Sequence, residues 1–198
     1  MNKITVLGSG RVGGNLTAAL TAAGHEVTVA GRSPEASAEA VRTARIVVNA
    51  TPGAGSLERL TALREELHGK ILVDVSNATV DGPDGLPAAL LHPGTSLAEQ
   101  LQTALPGTRV VKTLNTMLYT VMTAPSALGQ PPTAFLSGED QQAKQTVGGL
   151  LADLGWSPEW IVDLGGIETA RATEAAVLFV PHVIRASGFA PFAVSIAR

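Results

Sequence analysis

Strands alternate with helices from the first residue, most strands read as unbroken apolar runs, and a glycine-rich hexapeptide stands at the first strand–helix junction. Together these predict an α/β fold, a Rossmann-type doubly wound parallel sheet. Parallel strands covered on both faces lose the in–out alternation of a half-exposed sheet. The chain has 198 residues. That length suits one domain with a small annex and leaves no room for a full-sized second domain.

The elements follow in order. Lys3–Leu7 (KITVL) is β-branched and apolar and is bounded by Gly8, as a buried strand is. Arg11–Ala23 carries Val12, Leu16, Ala19, Leu20 and Ala23 at helical spacing and stops at Gly24. Glu26–Ala30 reads as a strand, Glu35–Thr43 as a short helix, and Arg45–Ala50 as a strand that ends in the turn Thr51-Pro52-Gly53. Ser56–Leu67 places Leu57, Leu60, Leu63 and Leu67 on one helical face, with Ser56 as the expected N-cap. Ile71–Val75 is a strand, and the Gly-, Pro- and Asp-rich segment Asn77–Thr95 reads as a long loop. Ser96–Leu105 is a helix opened by a capping box, Ser96 to Glu99, and Thr108–Lys112 is a strand. Asn115–Pro132 is irregular. Thr133–Leu136 and Trp160–Leu164 are strands around the amphipathic helix Glu139–Leu154. Glu168–Ala186 is a helix bent at Pro181, and Phe192–Ile196 is a last strand.

Composition narrows the function. The chain is 45% hydrophobic and only 16% charged, with 21 glycines, no cysteine and a formal net charge of −3. The missing cysteine excludes a disulfide scaffold, a thiolate nucleophile and a Cys-based zinc site, and it suits a cytoplasmic setting. No basic face announces nucleic acid. The apolar stretch Ala175–Ile184 contains Pro181 and His182 and is too short to span a bilayer. The run Ile4–Leu7 is too short for a signal peptide.

Gly8-Ser9-Gly10-Arg11-Val12-Gly13 is a G-x-G-x-x-G that follows a strand and opens a helix, the context in which this motif binds a dinucleotide. Gly8 permits the tight turn, Gly10 lets the backbone approach a pyrophosphate, and Gly13 lets helix and strand pack closely. The helix N-terminus offers free N–H groups to the phosphates. The second strand ends Ala30-Gly31-Arg32-Ser33, with no carboxylate between Glu26 and Glu35 to hold a ribose 2′-OH. Arg32 supplies a fork for a 2′-phosphate and Ser33 a hydroxyl beside it, so NADP(H) is the expected cofactor. Ligands bind outside the carboxyl ends of such strands. Ala50-Thr51-Pro52 and Val75-Ser76-Asn77 therefore face the same crevice.

Several segments fall in one order: Gly8–Gly13, Gly31-Arg32-Ser33, Thr51-Pro52, VVKTLNT from Val110 to Thr116, SGED from Ser137 to Asp140, and Asp163-Leu164-Gly165 followed by Ala170-Arg171. In this the chain resembles the small NADP oxidoreductase family that works with the deazaflavin coenzyme F420. The resemblance implies a Rossmann domain (residues 1–130), a small C-terminal α/β region (131–198) and a homodimer with that region in its interface. It implies hydride transfer between NADPH and a deazaflavin, with the pyrophosphate on Ser9, Gly10, Arg11 and Val12. The 2′-phosphate would lie on Gly31, Arg32 and Ser33. Ala50, Thr51, Pro52, Asn115 and Met117 would line the nicotinamide region. The chain departs from the family twice. Gly53 stands where many deazaflavin-active members carry Trp, and the stretch Ser33–Val47 is short by about one helix and one edge strand.

Hydride transfer needs two rings held face to face without water and no enzyme nucleophile. Arg11 and Lys112 could neutralise acidic cofactor tails, although Lys112 also reads as a strand-end lysine in solvent. The sequence holds no G-x-S-x-G, H-E-x-x-H or P-loop motif, and no metal site is expected. His25 and His68 read as solvated and His182 as packed or bonded. Trp156 and Trp160 read as core, Glu65-Glu66 as helix surface. Two classes of function stand open. One is an NADPH-dependent oxidoreductase acting on a deazaflavin, a flavin, another planar acceptor or a small carbonyl. The other is a non-catalytic NADP(H)-binding module.

Overall fold

The computed structural model describes residues 1–31 and 33–197. β1 (Lys3–Leu7) leads into α1 (Arg11–Ala22), then β2 (Glu26–Ala30), α2 (Pro34–Thr43) and β3 (Ile46–Asn49). Helices α3 (Ser56–Thr61) and α4 (Arg64–Leu67) precede β4 (Ile71–Asp74), which is followed by β5 (Thr79–Asp81) and β6 (Pro87–Leu90). Next come α5 (Leu97–Ala104), β7 (Arg109–Lys112), α6 (Tyr119–Met122), β8 (Ala134–Ser137), α7 (Gln141–Asp153), β9 (Ile161–Gly165), α8 (Ala170–Ala175) and α9 (Val180–Ser187).

Seven strands form one sheet in the order β2-β1-β3-β4-β7-β8-β9. From β2 to β7 every pairing is parallel. β7 meets β8 antiparallel, at Lys112 and Ser137, so the sheet is mixed at one join and β8 and β9 extend it. β2 is the outermost strand on its side, and Val29 on it is 42% exposed. This is the shortened edge that the Ser33–Val47 segment predicts. The order also creates the switch that matters for a ligand: from β1 the chain moves outward to β2, then crosses over to β3 on the other side.

Each face of the sheet carries its own core. Leu16 and Leu20 of α1 pack with Val147, Leu150 and Leu151 of α7 and with Trp156 on one face. Val41, Leu60, Leu63, Leu67, Leu97 and Leu101, from the stretch between α2 and α5, fill the other. Burying each of these aliphatic side chains contributes about 1.5–3 kcal/mol.

Five elements differ from their sequence expectation; one is the Asn115–Pro132 stretch, read as irregular, which contains the single turn of α6. The 56–67 helix breaks at Ala62 and Leu63 into α3 and α4, and Ser56 does not cap it: Gly55 is the N-cap, and the buried Ser56 hydroxyl bonds inward to Thr51 at 2.9 Å. Asn77–Thr95 is not all loop. β5 and β6 form a hairpin closed by Gly82 N donating to Leu86 O at 2.8 Å, with Gly85 at φ 73°. The last helix is interrupted by a tighter turn over Ala176–Phe179, and Pro181 sits in the first turn of α9, where its missing N–H costs nothing. Phe192–Ile196 is a strap rather than a strand, tied to Thr116 and Leu118 by Val194 N→Thr116 O and Leu118 N→Phe192 O, each 3.0 Å.

Candidate functional site

The carboxyl ends of β1, β3 and β4 open into a crevice of about 980 Å³ at the switch point. The glycine turn forms its floor. Gly8 has φ 107°, and a Cβ there would stand 2.6 Å from Ala50 O, so only glycine turns the chain between the two strand ends. A Cβ on Gly13 would meet Gly8 O at 1.9 Å, so α1 packs directly on the turn. Gly10 is the N-cap of α1; its backbone is extended, and no side chain caps the helix. Gly14 N reaches Gly10 O at 2.8 Å, and the amides before it, at Arg11, Val12 and Gly13, have no acceptor within the helix. No acid occupies this first turn.

Gly8, Ser9, Gly10, Arg11, Val12, Gly31, Ala50, Thr51, Pro52, Asn77, Asn115 and Met117 all line the crevice. Gly13 lies beneath it. Ser33 is engaged elsewhere, since its hydroxyl accepts from Ala36 N at 3.3 Å, capping α2, and donates to Glu35 at 2.9 Å. Arg32 lies outside the described residues. The sequence reading missed Arg59, Leu118, Tyr119, Met122 and Phe189, which also line the crevice. These belong to no motif and arrive from α3, from α6 and the residue before it, and from the link that follows α9. Tyr119 carries the Arg11 guanidinium 5.7 Å from its ring centre.

A buried polar network stiffens the wall behind Thr51 and Ser76. The Asn49 amide nitrogen donates to Asp74 Oδ1 at 2.8 Å and to Ser56 Oγ at 3.1 Å, and its oxygen accepts from Thr51 Oγ1 at 2.6 Å. Ser76 Oγ donates to Asp74 Oδ1 at 2.8 Å. Lys112 stands behind them. It is fully buried and pairs with Asp74 at 2.8 Å and Glu174 at 2.9 Å. This corrects both readings of Lys112: it neither reaches solvent nor lines the crevice. Burial alone would push its ammonium down, but the two carboxylates outweigh burial and hold its pKa above the ordinary lysine value. Glu174 also accepts from Leu97 N and Ala98 N at the start of α5, at 2.9 and 3.2 Å. The positive end of that helix thus shares in balancing the second carboxylate.

Beyond β7 the chain reverses at Leu114, a non-glycine residue with φ 59°, and this turn presents Asn115 to the crevice. Asn115 and Asn77 then clasp each other: Asn77 Nδ2 donates to Asn115 O at 2.8 Å and Asn115 Nδ2 to Asn77 Oδ1 at 2.9 Å. Gly53 lies against the main chain of Asn77 and Ala78. A Cβ on it would stand 2.1 Å from Asn77 O, so the position that resembles a family Trp has no space for any side chain here.

Of the histidines, His68 is exposed as expected. His25 is not solvated: it is 7% exposed, Nδ1 accepts from Asn2 N at 3.2 Å, and Nε2 faces Asp153 at 3.0 Å. His182 is exposed, so it is not packed but bonded, its Nδ1 3.5 Å from Arg185 Nη1. Trp156 is core, its indole N–H donating to Met122 O at 3.0 Å, while Trp160 is only half-buried. Among the described residues no cluster of three His, Asp or Glu side chains could hold a metal, and no helix is long and apolar enough to cross a membrane.

Comparison with known proteins points to reductases. Residues 3–52 match the family NADP oxidoreductase coenzyme F420-dependent. The whole chain superposes on the whole of a solved structure from Arthrobacter sp. FB24, a candidate F420-dependent NADP-reductase, with a TM-score of 0.91 and 39% identity. Metalloreductase STEAP3 of Rattus norvegicus is 30% identical over 189 residues, 89% of this chain and 36% of that one. The F420-dependent NADP reductase of Methanocaldococcus jannaschii is 28% identical over 142 residues, 69% of this chain and 60% of that one. The chain thus spans about a third of the first of these curated relatives and three fifths of the second.

Proposed function

The chain belongs to the coenzyme F420-dependent NADP oxidoreductase family, and we propose that it passes hydride between NADP(H) in this crevice and a deazaflavin such as coenzyme F420 or a similar planar acceptor. The observation that carries the reading is the uncapped start of α1 at the switch point. Free amides of Arg11, Val12 and Gly13 suit a pyrophosphate. A Cβ at Gly10 would meet nothing within 4 Å, so the backbone is open to a close approach. When bound, the dinucleotide supplies the hydride at its nicotinamide ring.

The protein's own part is to orient and to exclude water. The amides of α1 and the Arg11 guanidinium hold the anionic middle of the ligand. Asn77 and Asn115, clasped together, fix the far wall at a constant width. Met117, Leu118, Tyr119, Met122 and Phe189 give the apolar side on which a second ring can lie. Two rings held at contact distance react without a nucleophile from the protein. Reduction of the ring takes up one proton with the hydride, and solvent can supply it, since no carboxylate or histidine lines the crevice among the described residues. Phe179 and Phe189, 64% and 70% exposed, suit the face of a homodimer formed through the C-terminal region.

A second reading, a cofactor-binding module without turnover, draws support from Gly53, which leaves no stacking ring after Pro52. Mixing the protein with NADPH and oxidised deazaflavin and following the deazaflavin absorbance separates the two. Turnover supports the oxidoreductase. NADPH binding without reduction of deazaflavin or flavin supports the module.

A further inference from the structure

Among the described residues the charged side chains lining the crevice are Arg11 and Arg59, and no carboxylate joins them. Hydride transfer as proposed gives Arg11 a role and Arg59 none. The two arginines come from opposite faces of the sheet, Arg11 from α1 and Arg59 from α3. Arg11 lies over Tyr119. Arg59 is exposed and has no ion-pair or side-chain hydrogen-bond partner among the described residues. Its guanidinium folds back over the first turn of its own helix: Nη1 and Nη2 each lie 3.8 Å from where a Cβ on Gly55 would stand.

Topology says which part of a dinucleotide this cation meets. α2 and α3 each follow a strand of the same parallel run, so both begin on the rim of the sheet that holds the crevice. α2 and α4, the continuation of α3, are joined by Arg42 and Glu66 at 3.0 Å, which keeps the two helices side by side. Gly31 and Ser33 lead from the end of β2 into the start of α2. Gly31 at the end of β2 and Arg59 on the helix after β3 line the same crevice from the two sides of β1, and the β2 end is where the adenosine half of a dinucleotide bound by this turn belongs. β2 is outermost, so no further strand beyond it lends the adenosine a contact.

We propose that Arg59 is a specificity-determining residue that binds the 2′-phosphate of NADP(H) from the α3 side. The proposal rests on the dinucleotide reading of this crevice. A guanidinium fork fits a phosphate with two parallel N–H···O bonds, and a free, exposed arginine loses no partner when it takes one.

The test is a set of binding titrations of NADPH, NADH and 2′,5′-ADP against the wild type, Arg59→Ala and Arg59→Lys. Melting curves should show both variants folded, since Arg59 is exposed. Arg59→Ala should weaken NADPH and 2′,5′-ADP about ten- to a hundredfold, the range for a charge-assisted bond, and leave NADH unchanged. Arg59→Lys should fall between. Equal losses of NADPH and NADH would overturn the proposal by moving Arg59 to a part both ligands share. No loss of either would overturn it outright. A wild type that binds neither nucleotide would instead bring down the underlying dinucleotide reading.

Discussion

Lys112 Nζ lies 2.8 Å from Asp74 Oδ2, and neither side chain reaches solvent. The pair joins the wall of the crevice to the helices behind it. Asp74 holds Asn49 and Ser76 through its other oxygen, and Lys112 reaches on to Glu174 and the start of α5. Removing the cation would leave two buried carboxylates facing each other. Lys112→Met should therefore destabilise the protein by about 3–5 kcal/mol in urea unfolding. Adding Glu174→Gln should recover part of that loss. Equal stability of wild type and Lys112→Met would contradict the burial of this charge.

Gly13→Ala tests the packing of α1 on the glycine turn. The new methyl would need space 1.9 Å from Gly8 O. It must push the helix off the turn and misalign the free amides. NADPH affinity should fall by about tenfold or more, the effect of losing roughly one strong hydrogen bond, in a fluorescence titration. Unchanged affinity would show that the turn does not hold the ligand.

Gly53 gives a prediction of the opposite kind. Since a Cβ would collide with Asn77 O at 2.1 Å, Gly53→Ala should cost about 1–3 kcal/mol of stability by overpacking. Gly53→Trp should not raise turnover of a deazaflavin, because the side chain cannot be seated without displacing the main chain at Asn77 and Ala78. A faster, stable Gly53→Trp variant would show that this main chain yields.

Acid stability should report on Glu99. Arg171 reaches its carboxylate through Nε at 2.9 and 3.0 Å and through Nη2 at 2.6 Å, and holds its pKa below the ordinary 4.5. Ser96 Oγ adds a bond at 2.9 Å. A lowered carboxyl pKa stabilises the folded state above the unfolded value, and the gain is lost as pH falls through the folded value. The wild type should therefore exceed Glu99→Gln in melting temperature near neutral pH, and the two should converge as pH drops below 4.5. A difference that persists at low pH would point to packing rather than charge.

The parts of the fold that the sequence makes legible are those with local causes. The glycine turn, the apolar strands and the Ser96 cap each depend on a few neighbouring residues, and each stands where the pattern says. The shortened edge at β2 is legible for the same reason, as a count of residues between two strands. Lys112 could not be read, because Asp74 and Glu174 lie far from it along the chain and only the fold brings them together. The charge of an isolated strand-end lysine points outward until those two carboxylates are known to be behind it. His25 misleads in the same way, through Asp153. The β5–β6 hairpin is hidden by its own turn: Gly82-Pro83-Asp84-Gly85 reads as a breaker, and strands of three and four residues on either side are too short to show a period. Arg59, Tyr119 and Phe189 reach the crevice from three separate segments and share no spacing that could announce them.

Direct hydride transfer in this crevice is checked by following the hydrogen itself. NADPH deuterated at the reactive nicotinamide carbon, on each face in turn, would be mixed with the protein and oxidised deazaflavin. The reduced deazaflavin would then be weighed by mass spectrometry. Direct transfer predicts carbon-bound deuterium in the deazaflavin from one labelled face only. Reduced deazaflavin without deuterium from either face, or bound NADPH with no acceptor reduced, would contradict it.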